Sequence, residues 1–147
     1  MQFLIFILIF PLLWIISILP FRLFYWFSDC IYFVVYYIIG YRKKIVRYNL
    51  SIALPHLTEE KRLIIEKKFY QHMCDMFLEM IKTMSISSAE MNKRFVITNI
   101  DLIKEYEQKE KSIILLASHY ASWEWLLSIN ERTKFKCIGV YKKINNR

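Results

Sequence analysis

Glycine and cysteine are scarce in this sequence, and their scarcity excludes several kinds of site. The two glycines are Gly40 and Gly139, so the chain has no glycine-rich loop that could wrap a phosphate group. The three cysteines, Cys30, Cys74 and Cys137, are widely spaced and form no C-x-x-C pair, which argues against a zinc site or a disulfide framework. We therefore expect no bound metal and reduced thiols, as is usual on the cytoplasmic side of a membrane.

Charge is nearly missing from the first 40 residues, which contain only Arg22 and Asp29. The net charge of +8 therefore lies in the rest of the chain. This division is typical of a membrane-embedded N-terminal part followed by a basic part that faces anionic headgroups. Nucleic-acid binding is the other interpretation of the positive charge. However, the sequence has no nucleic-acid-recognition motif, and nucleic-acid binding does not explain the apolar N-terminal residues. We expect a membrane partner and no nucleic acid.

The N-terminal part consists of two apolar runs. Residues 3–19 are apolar apart from Ser17 and contain Pro11, and their length is at the lower limit for a membrane span. A signal peptide is the alternative, but the chain begins without a basic residue and lacks a good cleavage site. We interpret this run as an uncleaved anchor.

Residues 23–41 form the second run, which is rich in tyrosine and tryptophan. These residues favour the headgroup boundary, so we interpret the run as a helix in the interface, with a full second span as the alternative that Asp29 disfavours. Arg42, Lys43, Lys44 and Arg47 follow and indicate a cytoplasmic position. We expect the hydrophobic helices to end at residue 41 and a second domain to occupy residues 42–147.

Helices and strands alternate in the predicted second domain. Helices are expected over residues 42–53, from the N-cap Thr58 to about Met84, from the capping-box residue Ser87, and from Asn99 or Asp101 to about Lys109. Strands are expected at residues 94–98, 112–117 and 135–141. The alternation predicts an α/β fold with mostly parallel strands.

The central strand ends at a candidate acid–base pair. Four branched apolar residues, 113–116, are followed by His119, and Glu124 comes five residues later. Five helical residues turn the chain by roughly 500°, so the two side chains would point about 140° apart if both were helical. They can meet only if His119 lies on the loop before the helix. Glu124 would then bind one imidazole nitrogen and leave the other free to accept a proton.

The same pair has a purely structural interpretation. His119 would be a strand-end histidine with local hydrogen bonds, and Glu124 would interact with the dipole of its helix. A single H-x-x-x-x-E pattern does not separate the two interpretations. No serine or cysteine is placed as a nucleophile, because Ser118 and Ser122 are more plausible as helix caps.

Several blocks in order resemble one enzyme family. Residues 119–125 (HYASWEW) resemble the catalytic block of the lipid A biosynthesis lauroyl/myristoyl acyltransferases, part of a wider group that shares H-x-x-x-x-D/E. Residues 40–50 followed by Pro55 resemble the family's basic segment, and residues 69–70 and 79–82 resemble its next helix. Residues 140–146 resemble the strand after the catalytic helix. One departure concerns the turn after His119, where the pattern leads us to expect Gly-Asn instead of Ala121-Ser122.

The resemblance implies an enzyme of the cell inner membrane that works on the cytoplasmic side. His119 would be the general base and Glu124 its orienting acid. Acyl carrier protein would bring the acyl chain and no cofactor would be required. A membrane lipid, the lipid A precursor, would be the acceptor. Four further residues are candidates for substrate binding: Trp123, Trp125, Tyr141 and Lys142.

The resemblance also leaves alternatives. The family's enzymes are about twice as long, which leads us to expect an N-terminal portion whose partner is a C-terminal half. Acyl transfer to a glycerophospholipid or another lipid shares the histidine–carboxylate unit. A catalytically incomplete, membrane-anchored fragment is the non-enzymatic alternative.

Overall fold

The computed structural model describes residues 2–140 of the chain. Contacts divide them into two compact units, the first made of residues up to Ile86 together with Tyr120–Ser122, and the second made of the remaining residues. The first unit contains α1 (Gln2–Ile18), α2 (Phe21–Phe33) with a π-helical continuation (Val34–Ile39), α3 (Lys43–Ala53) and α4 (Glu59–Lys82). The second contains α5 (Ser88–Arg94), α6 (Ile100–Gln108) and a 3₁₀ helix (Trp123–Glu131).

The predicted α/β fold is wrong for the described part of the chain, which is helical and contains no strand. Residues 112–117 and 134–140 have no regular structure, and Arg94 is the last residue of α5. Ile114 and Leu116 are about nine-tenths exposed, at 90% and 91%. A strand exists only when a second strand supplies hydrogen-bond partners, and the described residues provide none for these segments. Residue 141, the last of the third predicted strand, lies outside the described residues.

Helix α4 is the centre of the first unit. It begins at its predicted N-cap Thr58, whose Oγ1 accepts a hydrogen bond from the backbone nitrogen of Lys61. It packs against α1, α2, the π-helical segment and α3. Its buried side chains form one stripe at helical spacing: Glu66, Tyr70, Cys74, Leu78 and Lys82. The hydrophobic period predicted the helix correctly but not its buried face, since Tyr70 is buried whereas Phe69 and Phe77 of the same apolar pattern are exposed.

Helix α1 is apolar on every side, and most of its large side chains are exposed. Its C-terminal end is capped by Lys82 of α4, whose Nζ donates to the backbone oxygens of Ser17 at 2.5 Å and Leu19 at 2.6 Å. The hydroxyl of Ser85 also donates to the Ser17 oxygen, at 2.6 Å. A buried cation thus satisfies the carbonyl groups that a helix end leaves without partners.

Helix α2 and its π-helical continuation lie antiparallel to α4 and make three polar contacts with it. Tyr25 donates to Glu79 at 2.7 Å, Gln71 donates to Asp29 at 3.2 Å, and Tyr36 donates to Glu66 at 3.0 Å. By length and composition, Phe21–Ile39 is the one stretch within the described residues that is long and apolar enough to cross a membrane. The interfacial position that the sequence favours for this stretch stays a prediction.

Short helices and their caps organise the second unit. Ser87 Oγ accepts a hydrogen bond from the backbone nitrogen of Glu90 at 3.3 Å and caps α5 as predicted. Helix α5 packs against the 3₁₀ helix. The contact is fixed by Arg132, whose Nη2 donates to the backbone oxygen of Phe95 at 2.7 Å and to Ser128 Oγ at 3.3 Å. Met91, Trp125 and Ile129 form the buried apolar part of this unit.

Candidate functional site

His119 precedes a helix and Glu124 lies in its first turn, but the strand expected to end at His119 is absent from the described residues. His119 is exposed and belongs to residues 111–120, which have no regular structure. Glu124 is the second residue of the 3₁₀ helix. We expected an α-helix here. The tighter 3₁₀ winding makes one turn every three residues, so Trp123 and Leu126 lie one above the other.

The described residues contain no hydrogen bond or ion pair between His119 and Glu124, so their pairing stays a prediction. Oε2 of Glu124 is buried and has no hydrogen-bond partner. A buried carboxylate oxygen without a donor is unfavourable by about 1–3 kcal/mol or more, which favours any conformation that brings a donor to it. Catalytic hydrogen bonds often tighten only when substrate binds. Glu124 is therefore suited to accept an N–H group.

Trp123 contacts the ring of the predicted base. The centroids of the His119 and Trp123 rings are 4.3 Å apart, and their planes are inclined at 62°. Edge-to-face contacts of this kind restrict the orientation of both rings. Trp123 therefore has an observed contact that orients His119, beside its predicted contact with substrate.

The other predicted binding residues have different surroundings. Trp125 is buried, with 5% of its surface exposed, which suits packing within the second unit. Tyr141 and Lys142 lie outside the described residues. Substrate binding by these three residues stays a prediction. No three metal-binding side chains among the described residues come together as a cluster.

The turn between His119 and Glu124 has an unusual backbone. Ala121 has φ = 50°, in the left-handed region that favours glycine. This is the position at which the family pattern leads us to expect glycine. An alanine adopts the conformation at a cost of about 1–2 kcal/mol. The turn has therefore kept a glycine-like geometry although its residue has a Cβ atom.

Ser122 attaches this turn to the helices of the first unit. Its hydroxyl donates to Oε2 of Glu79, while Oε1 of the same carboxylate accepts the 2.7 Å hydrogen bond from Tyr25. From sequence alone, Glu79 is an ordinary acidic residue four positions after Asp75, on a face expected to meet solvent. The contact joins residues 43 positions apart, and no local pattern announces it. Sequence reasoning therefore missed this contact between Glu79 and Ser122 within the first unit.

A second buried carboxylate lies beneath the basic segment. Glu66 is 1% exposed and receives Arg47 Nε at 2.8 Å, Arg47 Nη2 at 3.2 Å and the Tyr36 hydroxyl at 3.0 Å. The hydrogen bond with Glu66 raises the pKa of Arg47, which stays charged. Lys43 Nζ lies 3.7 Å from the centre of the Tyr36 ring. Two of the basic residues therefore hold the helices together.

Comparisons with known proteins agree with the arrangement of these blocks. The family model described as bacterial lipid A biosynthesis acyltransferase matches residues 1–147. No curated protein and no solved structure matches the chain. The match includes the basic segment, helix α4 and the H-x-x-x-x-E motif.

Proposed function

Because the chain belongs to the bacterial lipid A biosynthesis acyltransferase family, we propose that it transfers a fatty acyl chain from acyl carrier protein to a hydroxyl group of a lipid A precursor. The observation that carries this proposal is the family match over residues 1–147, which includes His119 and Glu124. The family is one of acyltransferases acting in lipid A biosynthesis. The donor, the acceptor and the roles of individual residues are our proposal.

His119 is the general base of the proposed reaction. Its free imidazole nitrogen removes the proton from the acceptor hydroxyl as that oxygen attacks the thioester carbonyl. The tetrahedral intermediate then expels the thiolate of acyl carrier protein, and the imidazolium returns the proton to the sulfur. An ester bond forms and a thioester bond breaks, so no metal or redox cofactor is required. General-base assistance of this kind contributes about 10²–10⁴-fold to a rate.

Glu124 stabilises the imidazolium in this scheme. Its buried Oε2 has no donor in the described structure and accepts the second N–H of His119 when the ring turns toward it. The interaction is strongest after His119 has gained its proton, since a charged donor roughly doubles the strength of a hydrogen bond. Trp123, against the His119 ring at 4.3 Å, limits the orientations that the ring samples.

The hydrophobic helices support a membrane position for the reaction. Helix α1 exposes apolar side chains on all sides, and α2 exposes Leu23, Trp26 and Phe33. The basic residues after α2 favour the cytoplasmic face of the inner membrane, where acyl carrier protein is present. The lipid hydroxyl and the soluble donor would meet at this interface.

Acyl transfer by membranes that carry the chain tests the proposal. The assay supplies acyl-loaded acyl carrier protein and a lipid A precursor, and mass spectrometry detects the acylated product. We expect product from the unaltered chain and a fall of at least about 10²-fold for His119→Ala. His72→Ala is the matched control, because His72 is an exposed histidine on α4 and keeps full activity under the proposal.

Two outcomes would contradict the proposal. Equal background product from the unaltered chain and from His119→Ala excludes catalysis by His119. Equal losses in His119→Ala and His72→Ala exclude a specific role for the motif histidine.

A third variant, Glu124→Gln, is expected to lower kcat with little change in KM, since the carboxylate acts on the charged state of the ring.

A further inference from the structure

The first unit contains an apolar cavity that the proposed reaction does not use. Its volume is about 690 Å³, within the range of about 300–1,000 Å³ that ligand pockets occupy. The π-helical end of α2, helix α3 and helix α4 form its walls. The lining residues are Ile31, Val35, Ile39, Tyr41, Arg42, Ile45, Val46, Phe69, Tyr70, Met73, Cys74, Phe77 and Leu78.

The apolar residues that line the cavity favour a hydrocarbon chain as its ligand. The lining carries no carboxylate, and its floor contains the buried residues Tyr70, Cys74 and Leu78. Burial raises the pKa of the Cys74 thiol and of the Tyr70 hydroxyl, so both stay uncharged near neutral pH. The rim exposes further large apolar side chains, including Ile39 at 65% and Phe77 at 55%. An open apolar cavity with such a rim is unfavourable in water and favourable beside lipid.

The positive charge at the rim of the cavity favours a ligand with an anionic headgroup. Arg42 is exposed and is the one charged residue of this lining. A second cavity of about 540 Å³ shows the contrast, because Arg47 and Arg62 are accompanied there by three glutamates, Glu59, Glu60 and Glu66. Its own acids therefore neutralise the cations of the second cavity. Arg42 has no such acid within its cavity and is available to an external anion.

The position of the cavity beside the predicted interfacial helix indicates that its ligand comes from the membrane. One wall comes from α2, which packs against α4 and which the sequence predicts to lie in the membrane interface, and Arg42 lies three residues after the end of its π-helical continuation at Ile39. A lipid that enters from the bilayer would place its hydrocarbon chain against the apolar walls and its headgroup beside Arg42. We propose that the cavity binds an anionic membrane phospholipid, with one acyl chain inside the cavity and the headgroup phosphate on Arg42. The site is independent of acyl transfer, because neither His119 nor Glu124 lines it.

Photo-cross-linking in lipid nanodiscs tests this site. The probe is phosphatidylglycerol with a diazirine near the end of one acyl chain, and phosphatidylcholine with the same chain is the comparison. We expect cross-links within residues 31–46 and 69–78. Met73→Trp fills the cavity and is expected to reduce this labelling several-fold. Met76→Trp is the matched control, because Met76 lies on the same helix and does not line the cavity.

Headgroup selectivity is measured with a second pair of variants. Arg42→Gln is expected to lower the preference for phosphatidylglycerol over phosphatidylcholine about fivefold, because one cation near an anionic surface contributes about that factor to binding. Lys68→Gln, on an exposed part of α4, removes the same charge outside the cavity and should leave the preference unchanged. Circular dichroism establishes that all four variants keep the helical content of the unaltered chain.

Three results would overturn the site. Cross-links distributed over the exposed apolar residues of α1 instead of the cavity exclude specific binding. Equal losses in Met73→Trp and Met76→Trp exclude occupation of the cavity. Displacement of the probe by dimer formation as protein concentration rises shows that a second copy of the chain, rather than a lipid, covers this surface.

Discussion

At the scale of single residues, Ala121 and Asp75 each have a feature that is unfavourable for stability. Ala121 has a left-handed backbone in the turn after His119. Asp75 is a half-buried carboxyl on α4, and burial raises its pKa above the ordinary value of 3.8. Both features are unfavourable for stability, so both predict that a conservative substitution stabilises the chain.

Replacing Ala121 with glycine should stabilise the protein. Glycine adopts φ = 50° without the Cβ contact, which contributes a gain of about 1–2 kcal/mol against a cost of about 0.4–1 kcal/mol for the added entropy of the unfolded chain. We expect a net gain of up to about 1.6 kcal/mol, measured as a higher Tm by circular dichroism. Ala117→Gly, whose φ is not positive, should instead leave Tm unchanged or lower it. Equal shifts in the two variants would show that Ala121 is not strained.

Replacing Asp75 with asparagine should stabilise the protein in a pH-dependent way. Because the pKa of Asp75 is higher in the folded state than the ordinary 3.8, the folded state binds more protons. The ionised carboxylate therefore destabilises the fold as pH rises above that value, and the penalty is absent below it. Asp75→Asn should raise Tm at pH 7 and lose this advantage near pH 3. Asp101→Asn, at an exposed site, should show no such profile; a stabilising effect that does not change with pH would exclude the ionisation of Asp75 as its cause.

At the scale of secondary-structure elements, long-range polar contacts fix how the helices meet. Lys82 caps α1 from α4, and Glu66 binds both the π-helical segment and α3. Glu79 holds Tyr25 and the motif residue Ser122. These acceptors and donors lie on the same helix as the apolar stripe, so α4 determines the position of its neighbours by hydrogen bonding as well as by packing.

Removing the Lys82 cap should destabilise the first unit. Lys82→Met keeps the length of the side chain but leaves the carbonyl groups of Ser17 and Leu19 without this donor. Hydrogen bonds to a charged group contribute about 1.5–3 kcal/mol each, so for the two together we expect a loss of about 3–6 kcal/mol and a lower Tm in detergent. Lys68→Met, on the exposed side of the same helix, is the matched control. A Tm equal to that of the control would mean that water caps α1 equally well.

At the scale of the whole molecule, the sequence predicted some features well and others poorly for a physical reason. The caps Thr58 and Ser87 are read from residues within one helical turn, so the starts of α4 and α5 were predicted correctly. For α6 the sequence left Asn99 and Asp101 as alternatives, and the helix begins after Asn99. Strand formation at residues 112–117 depends on a partner that the local sequence does not specify, and that prediction was wrong.

The candidate site shows the same division. The order of His119 before a helix and Glu124 inside it follows from local composition and is present in the structure, whereas the strand expected to end at His119 is not. The distance between their polar atoms depends on how a nine-residue 3₁₀ helix and its preceding turn are held. Glu79 contributes to that turn from a distant part of the sequence, so one stretch of chain cannot reveal it.

Membrane attachment of the whole chain should resist salt. If the apolar helices attach the chain to the bilayer, as we propose, salt has little effect on that attachment, whereas an interaction of the +8 charge with lipid is screened beyond about 3 Å at 1 M. We expect the chain to stay with sedimented membranes after a wash in 1 M NaCl and to dissolve only when detergent is added. A peripheral basic protein in the same membranes serves as the control. Release of the chain by salt alone would show that charge, not apolar surface, attaches it.

The Lys82 cap also sets an order of events during synthesis of the chain. The end of α1 leaves the ribosome first, but the ammonium group that completes it is encoded 65 residues later. At a translation rate of about 5–20 residues per second, α1 is complete roughly 3–13 seconds before that side chain is synthesised. During this interval the last carbonyl groups of α1 depend on other hydrogen-bond donors, such as water. The C-terminal end of α1 therefore receives its buried cation only after α4 has been synthesised.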